Sequence, residues 1–179
     1  MGYKRGMRKI SILSLCFMAC LVPSAAQDQG AAPMKLLDHL AGDWVLKGTI
    51  GGQRTTHDVE ARWILGHEYL QIHEVSREKG SKGEPAYEAI VLLGWDRKAQ
   101  EYVCLWLDST SGAGLSSGVM GRGKESGDSI PFVFTLSPSE SIHTTFAYRH
   151  ASDRWQWIID DVTNGKPDRF ADVELSRAK

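Results

Sequence analysis

Six histidines, His39, His57, His67, His73, His143 and His150, are the side chains of this 179-residue chain best suited to chemistry, because imidazole titrates near neutrality and ligates metals. His67 and His73 share a face by strand parity, and His57 stands on the preceding run. The three together make a candidate site for haem or a divalent metal held by imidazoles. The competing reading leaves them as surface or hydrogen-bonded groups. Asp108 is the next candidate. It ends an apolar run on the face that carries Tyr102 and Trp106. Turned inward it is a buried carboxylate that needs a partner; turned along the chain it caps the Ser109–Gly112 turn. The expected ligand contacts are therefore Tyr69 and Trp106 for apolar surface, with His73, Asp108 and His143 as the polar groups. Trp95, Trp106, Trp155 and Trp157 either line a pocket or fill a core.

Other motifs carry less. Gly114-Leu115-Ser116-Ser117-Gly118 has the spacing of a nucleophile elbow, but that motif works at a strand-to-helix turn of a large sheet, and here it lies in a Gly/Ser-rich passage. Gly121-Arg122-Gly123-Lys124 lacks the Ser or Thr and the following helix of a phosphate loop, and reads as a turn. His67-Glu68 is not followed by the second histidine of a zinc-protease helix. No catalytic residue emerges, and a non-enzymatic role is favoured.

These residues lie on short β-rich runs. Pro33–Ala41 predicts a short helix with Leu36, Leu37 and Leu40 on one side. The runs that follow are 42–50, 54–64, 67–77, 86–96, 101–109, 112–125, 130–136, 141–150, 154–163 and 169–177. Gly51-Gly52 and Asn164-Gly165 are hairpin signals between them. About ten strands without a crossover helix predict an all-β antiparallel up-and-down barrel, since a long meander removes its edges by closing. Several strands are apolar on both faces, which means either a filled interior or an apolar cavity.

The N-terminus reads as an address. Lys4, Arg5, Arg8 and Lys9 make a basic start, Ile10 to Val22 form an apolar run of 13 residues, and Ser24 and Ala26 occupy the small positions before a cleavage site. That is the pattern of a secretory signal peptide over 1–26, too short for a membrane span. A cleavage before Cys20 is the lipoprotein alternative. Residues 27–41 then form a tether and short helix, and 42–179 one barrel domain. An exported protein, periplasmic or secreted, with no transmembrane span in its mature chain follows. Four of the 21 basic residues lie in the leader, leaving 17 against 22 acidic ones, which argues against a nucleic-acid partner. Cys104 alone survives cleavage, so no internal disulfide forms and the core must carry stability.

Gly42-Asp43-Trp44 directly follows the short helix, and this G-x-W resembles the opening of lipocalins. The resemblance implies a plug in which Arg177, on the last strand, packs over the Trp44 indole beside Gly42. Four further blocks, Trp63-Ile64-Leu65-Gly66 with Tyr69-Leu70, Tyr87-Glu88-Ala89 with Leu93-Gly94-Trp95-Asp96, Tyr102 with Trp106, Asp108, Ser109 and Gly118, and the ending from Glu174, resemble the exported bacterial lipocalin-like family called domain of unknown function 1579. That resemblance implies a calycin-type barrel and names no substrate. The chain departs from the nitrobindin-type haem barrels, which open G-x-W-x-G-x-G and place an iron-ligating histidine near the C-terminus; here Val45-Leu46-Lys47-Gly48 follows Trp44, and no histidine follows His150. The leading expectation is a binder of a small apolar or lipid-like molecule. A haem or metal barrel and an envelope interaction domain with a solid core stand as alternatives.

Overall fold

A computed structural model of the chain describes residues 34–110, 115 and 117–179. The leader, with Cys16 and Cys20, and Gly114 and Ser116 of the G-x-S-x-G motif lie outside the described residues. Helix α1 (Lys35–Asp38) precedes ten strands: β1 (Gly42–Ile50), β2 (Gln53–Ile64), β3 (Tyr69–Ser76), β4 (Glu88–Asp96), β5 (Glu101–Asp108), β6 (Gly121–Gly123), β7 (Ser129–Ser137), β8 (Glu140–Arg149), β9 (Arg154–Thr163) and β10 (Lys166–Arg177). Each pairs antiparallel with its chain neighbour, and β1 pairs with β10, so the sheet closes into an up-and-down barrel without a free edge.

The hairpins form where the backbone permits tight reversal. Gly51 and Gly52 both have positive φ, as do Asn164 and Gly165, and such turns match the twist of the strands they join. Strand parity then sorts the side chains. On β3, Leu70, Ile72, Glu74 and Ser76 are buried, while Tyr69, Gln71, His73 and Val75 face outward. Among the described residues of 109–125, strand structure is confined to Gly121–Gly123, where the sequence predicts a longer glycine-rich strand over 112–125. Gly121-Arg122-Gly123 is accordingly a strand and not a turn. A Cβ at Gly123 would lie 1.9 Å from the Pro131 carbonyl oxygen, and one at Gly121 would meet the Phe134 ring at 2.5 Å; both glycines let β7 approach closely.

The interior divides in two along the axis. The half nearest α1 is solid, packed with Trp44, Tyr102, Phe132, Phe146, Trp155 and their aliphatic neighbours. Leu37 and Leu40 of the α1 segment lie on it with no exposed surface. Trp44 seals this end: its indole N–H donates to the Leu40 carbonyl at 2.7 Å, and the Arg177 guanidinium carbon sits 3.8 Å from the ring centroid. Arg177 also donates to the carbonyls of Ala41 and His39 and to Asp153, tying helix, first strand and last strand together. Gly42, at φ +132°, makes the bend that brings Trp44 under the barrel.

Candidate functional site

The other half of the barrel is hollow. A cavity of about 500 Å³ opens between the β1–β2, β3–β4, β5–β6, β7–β8 and β9–β10 connections. Its wall is asymmetric. Strands β7 to β10 and β1 contribute mainly apolar side chains, among them Phe134, Ile142, Trp157, Ile159 and Val173. Strands β2 to β5 and the β3–β4 connection contribute Thr55, His57, Glu74, Glu78, Tyr87, Trp106 and Asp108.

The polar wall is built on one hydrogen-bonded chain. His57 and Glu74 are only 3% and 2% exposed, and His57 Nδ1 is hydrogen-bonded to Glu74 Oε1. They meet because His57 pairs with Ser76, which puts Glu74 one inward position along the neighbouring strand. On its other side, His57 Nε2 lies 2.7 Å from Thr55 Oγ1. Glu78, at the mouth, accepts from the hydroxyls of Thr55 and Ser76 and from the Thr56 amide, each at 2.9 Å. Its own backbone amide first, then these donors together, hold the Glu78 carboxyl down at about 2 against an opposing desolvation larger than any one of these other hydrogen bonds. Glu78 is therefore ionised at neutral pH and only accepts. The Thr55 hydroxyl proton is committed to Glu78, so Thr55 Oγ1 faces Nε2 as an acceptor and Nε2 carries a hydrogen. On the other side of the ring, Nδ1 and Oε1 share the His57–Glu74 hydrogen bond.

Tyr87 stacks on His57 with centroids 5.7 Å apart and accepts from the Trp106 indole N–H at 2.9 Å. Burial, reinforced by the carboxylates of Glu74 and Asp108 and opposed by the Trp106 hydrogen bond, pushes the Tyr87 phenol well above its usual range, so it keeps its proton. Asp108 lines the cavity and also caps its turn, accepting from the amide and hydroxyl of Thr110 at 2.8 and 2.5 Å.

Of the residues expected to contact a ligand, the structure brings Trp106 and Asp108 together and sends three elsewhere. Tyr69 and His73 are on the outward face of β3. Tyr69 covers the bare backbone of Gly94, with ring atoms 2.8 Å from where a Cβ would stand, and His73 pairs with Glu88 at 2.7 Å on the surface. His143 faces outward on β8, 3.1 Å from the Ser141 hydroxyl. The placement of these three in the interior is corrected by parity: their inward neighbours are Leu70, Ile72, Glu74, Ile142 and Thr144. The expected convergence of His57, His67 and His73 is corrected too. His67 is not on the strand; it occupies the β2–β3 turn at φ +70°, stacked on Trp63 at the closed end. His57 is interior, and both of its ring nitrogens are hydrogen-bonded within the protein. Among the described residues, no three His, Cys, Asp or Glu side chains gather as a metal site would need.

The site residues missed from sequence are His57 in its interior role, Glu74, Glu78 and Tyr87. Glu74 carried a legible signal: it shares parity with Leu70 and Ile72, so an inward β3 face buries a carboxylate. Two apolar residues at the mouth were not legible. The pairing register slips at Phe170 and at Leu136, and these irregularities leave both side chains on the rim, 43% and 46% exposed.

With this geometry in hand, comparison with known proteins adds the fold and no more. No family model matches the chain, and no curated protein matches it. A solved structure does: the crystal structure of Rv2717c from M. tuberculosis. It superposes with a TM-score of 0.53 over 83% of this chain and 99% of that one, at 16% sequence identity. The two share a barrel architecture.

Proposed function

We propose that the protein binds a small, largely apolar molecule inside its barrel, and that it does so outside the cytoplasm, as a member of the exported lipocalin-like family that its sequence blocks resemble. The observation that carries this reading is the cavity: about 500 Å³, sealed at one end by the Trp44 plug, open at the other, and walled largely by aromatic and aliphatic side chains. A space of that size and lining is within the range of small-molecule sites. Binding there removes apolar ligand surface from water, worth roughly 25 cal/mol per Å² before ordering costs, while the polar wall fixes orientation. The packed lower half supplies rigidity, so the site is formed before the ligand arrives. A wholly solid interior, the alternative drawn from sequence, leaves this volume unaccounted for.

The test is Nile red, a neutral fluorophore, titrated into the purified mature chain. A saturable rise in emission at one dye per chain is expected, and Ile142→Trp, which places an indole in the cavity, removes it with the barrel still folded by circular dichroism. Non-saturable emission, or emission unchanged by Ile142→Trp, overturns the reading. Native mass spectrometry of protein exported with its own leader then gives the mass of any molecule carried along.

A further inference from the structure

Glu74 is 2% exposed, yet only its Oε1 is hydrogen-bonded; Oε2 has no partner among the described residues. The one fully occluded side-chain polar atom without a partner among those residues is Trp157 Nε1. Glu74 Oε2 is therefore not sealed in protein and opens on the cavity that Glu74 lines. A carboxylate oxygen at the base of an apolar chamber can only accept, so whatever completes it must donate.

The charges around the chamber say more about that donor. Glu74, Glu78, Asp108 and Asp161 line it against Arg54 and His57. His57 offsets Glu74, but among the described residues Asp108 is held only by the neutral groups of Thr110, and Asp161 makes no ion pair. An anionic headgroup would meet these carboxylates with Arg54, at the exposed rim, as the one fixed cation among the described lining residues. A cation would meet complementary potential, and the ring faces of Trp106 and Tyr87 on the same wall attract positive charge as well. We propose, resting on the binding reading above, that the ligand is an amphiphilic amine: an apolar body against β7 to β10, and a protonated nitrogen donating to Glu74 Oε2 within the field of Asp108. A free fatty acid has the wrong sign for this chamber.

Three bicyclic probes of matched size decide it by isothermal titration calorimetry at neutral pH: 2-naphthylmethylamine, 2-naphthylmethanol and 2-naphthoate. The amine is expected to bind about ten-fold more tightly than the alcohol, and the naphthoate most weakly, with the amine's advantage shrinking as salt is added. Glu74→Gln and Asp108→Asn should each cost the amine several-fold and cost the alcohol, which carries no charge, clearly less. Asp108→Asn keeps the test decisive if Glu74→Gln disturbs folding. Equal affinity for all three probes, a preference for naphthoate, or amine binding untouched by Asp108→Asn overturns the charge assignment while Nile red binding stands. If neither Nile red nor any of the three probes binds, the binding reading falls as well.

Discussion

His57 and Glu74 bury two ionisable groups in a barrel whose other deeply buried positions are mostly apolar. Each group is tolerable because the other is there. Removing one partner strands a polar or charged group in low dielectric, whereas replacing both by apolar groups avoids that penalty. His57→Leu is therefore expected to cost about 3–5 kcal/mol, and His57→Leu with Glu74→Leu much less, both read by urea denaturation. A double variant as unstable as the single one would mean that the pair does more than satisfy itself. Glu78 lends itself to a pH measurement. Its folded carboxyl is held at about 2, below its ordinary 4.5, so its hydrogen bonds contribute fully above the unfolded value and are lost as pH falls toward 2. Glu78→Gln should flatten the fall in stability between those two values, by a modest amount because the group is exposed to solvent. A denaturation profile as steep as the parent's would place the acid sensitivity elsewhere. Cys104, by contrast, has no chemistry to lose: it is fully buried, and burial pushes its thiol far up, which keeps it protonated and unreactive.

At the level of elements, β6 is the narrow place in the wall. Three residues join β5 to β7, and their glycines are what allow it. A Cβ at Gly123 meets backbone, the Pro131 carbonyl oxygen, which cannot rotate away; a Cβ at Gly121 meets the ring of Phe134, a side chain that borders the cavity and can give way. Gly123→Ala should destabilise by about 1–3 kcal/mol, with amide exchange accelerated first on β6 and the start of β7. Uniform exchange across the barrel in that variant would show that β6 is not the weak seam. Outward parity explains the surface as directly as inward parity explains the core. Tyr69 lies over Gly94, and Arg122 pairs outside with Asp96 and Glu101, so residues that looked available for chemistry are holding neighbouring strands in register.

Across the whole molecule, a solid half supports a hollow half, and the Trp44 plug belongs to the solid one. Trp44→Ala should cost about 3–5 kcal/mol and lower the melting temperature markedly, because the indole, its hydrogen bond to Leu40 and its contact with Arg177 vanish together; a variant that melts with the parent would show the seal to be dispensable. How much of this was legible in the sequence follows from the range of the interactions. Alternation, Gly-Gly and Asn-Gly turns and the lack of a crossover helix are local, and they determined the strand order and the closure into an antiparallel barrel. The G-x-W after a short helix placed the plug candidates. Trp106 and Asp108 could be named because they continue an apolar face on their own strand. The rest depended on register. Whether Tyr69 or Leu70 faces inward is decided by a shift of one residue in pairing, and His67 left the strand altogether because the turn begins before it. The bond between His57 and Glu74 joins positions 17 apart, and the cavity exists only where ten strands leave space between them. Sequence alone determined which faces were available. The closed barrel decided which of them surround an empty volume, since burial is a property of all the walls at once.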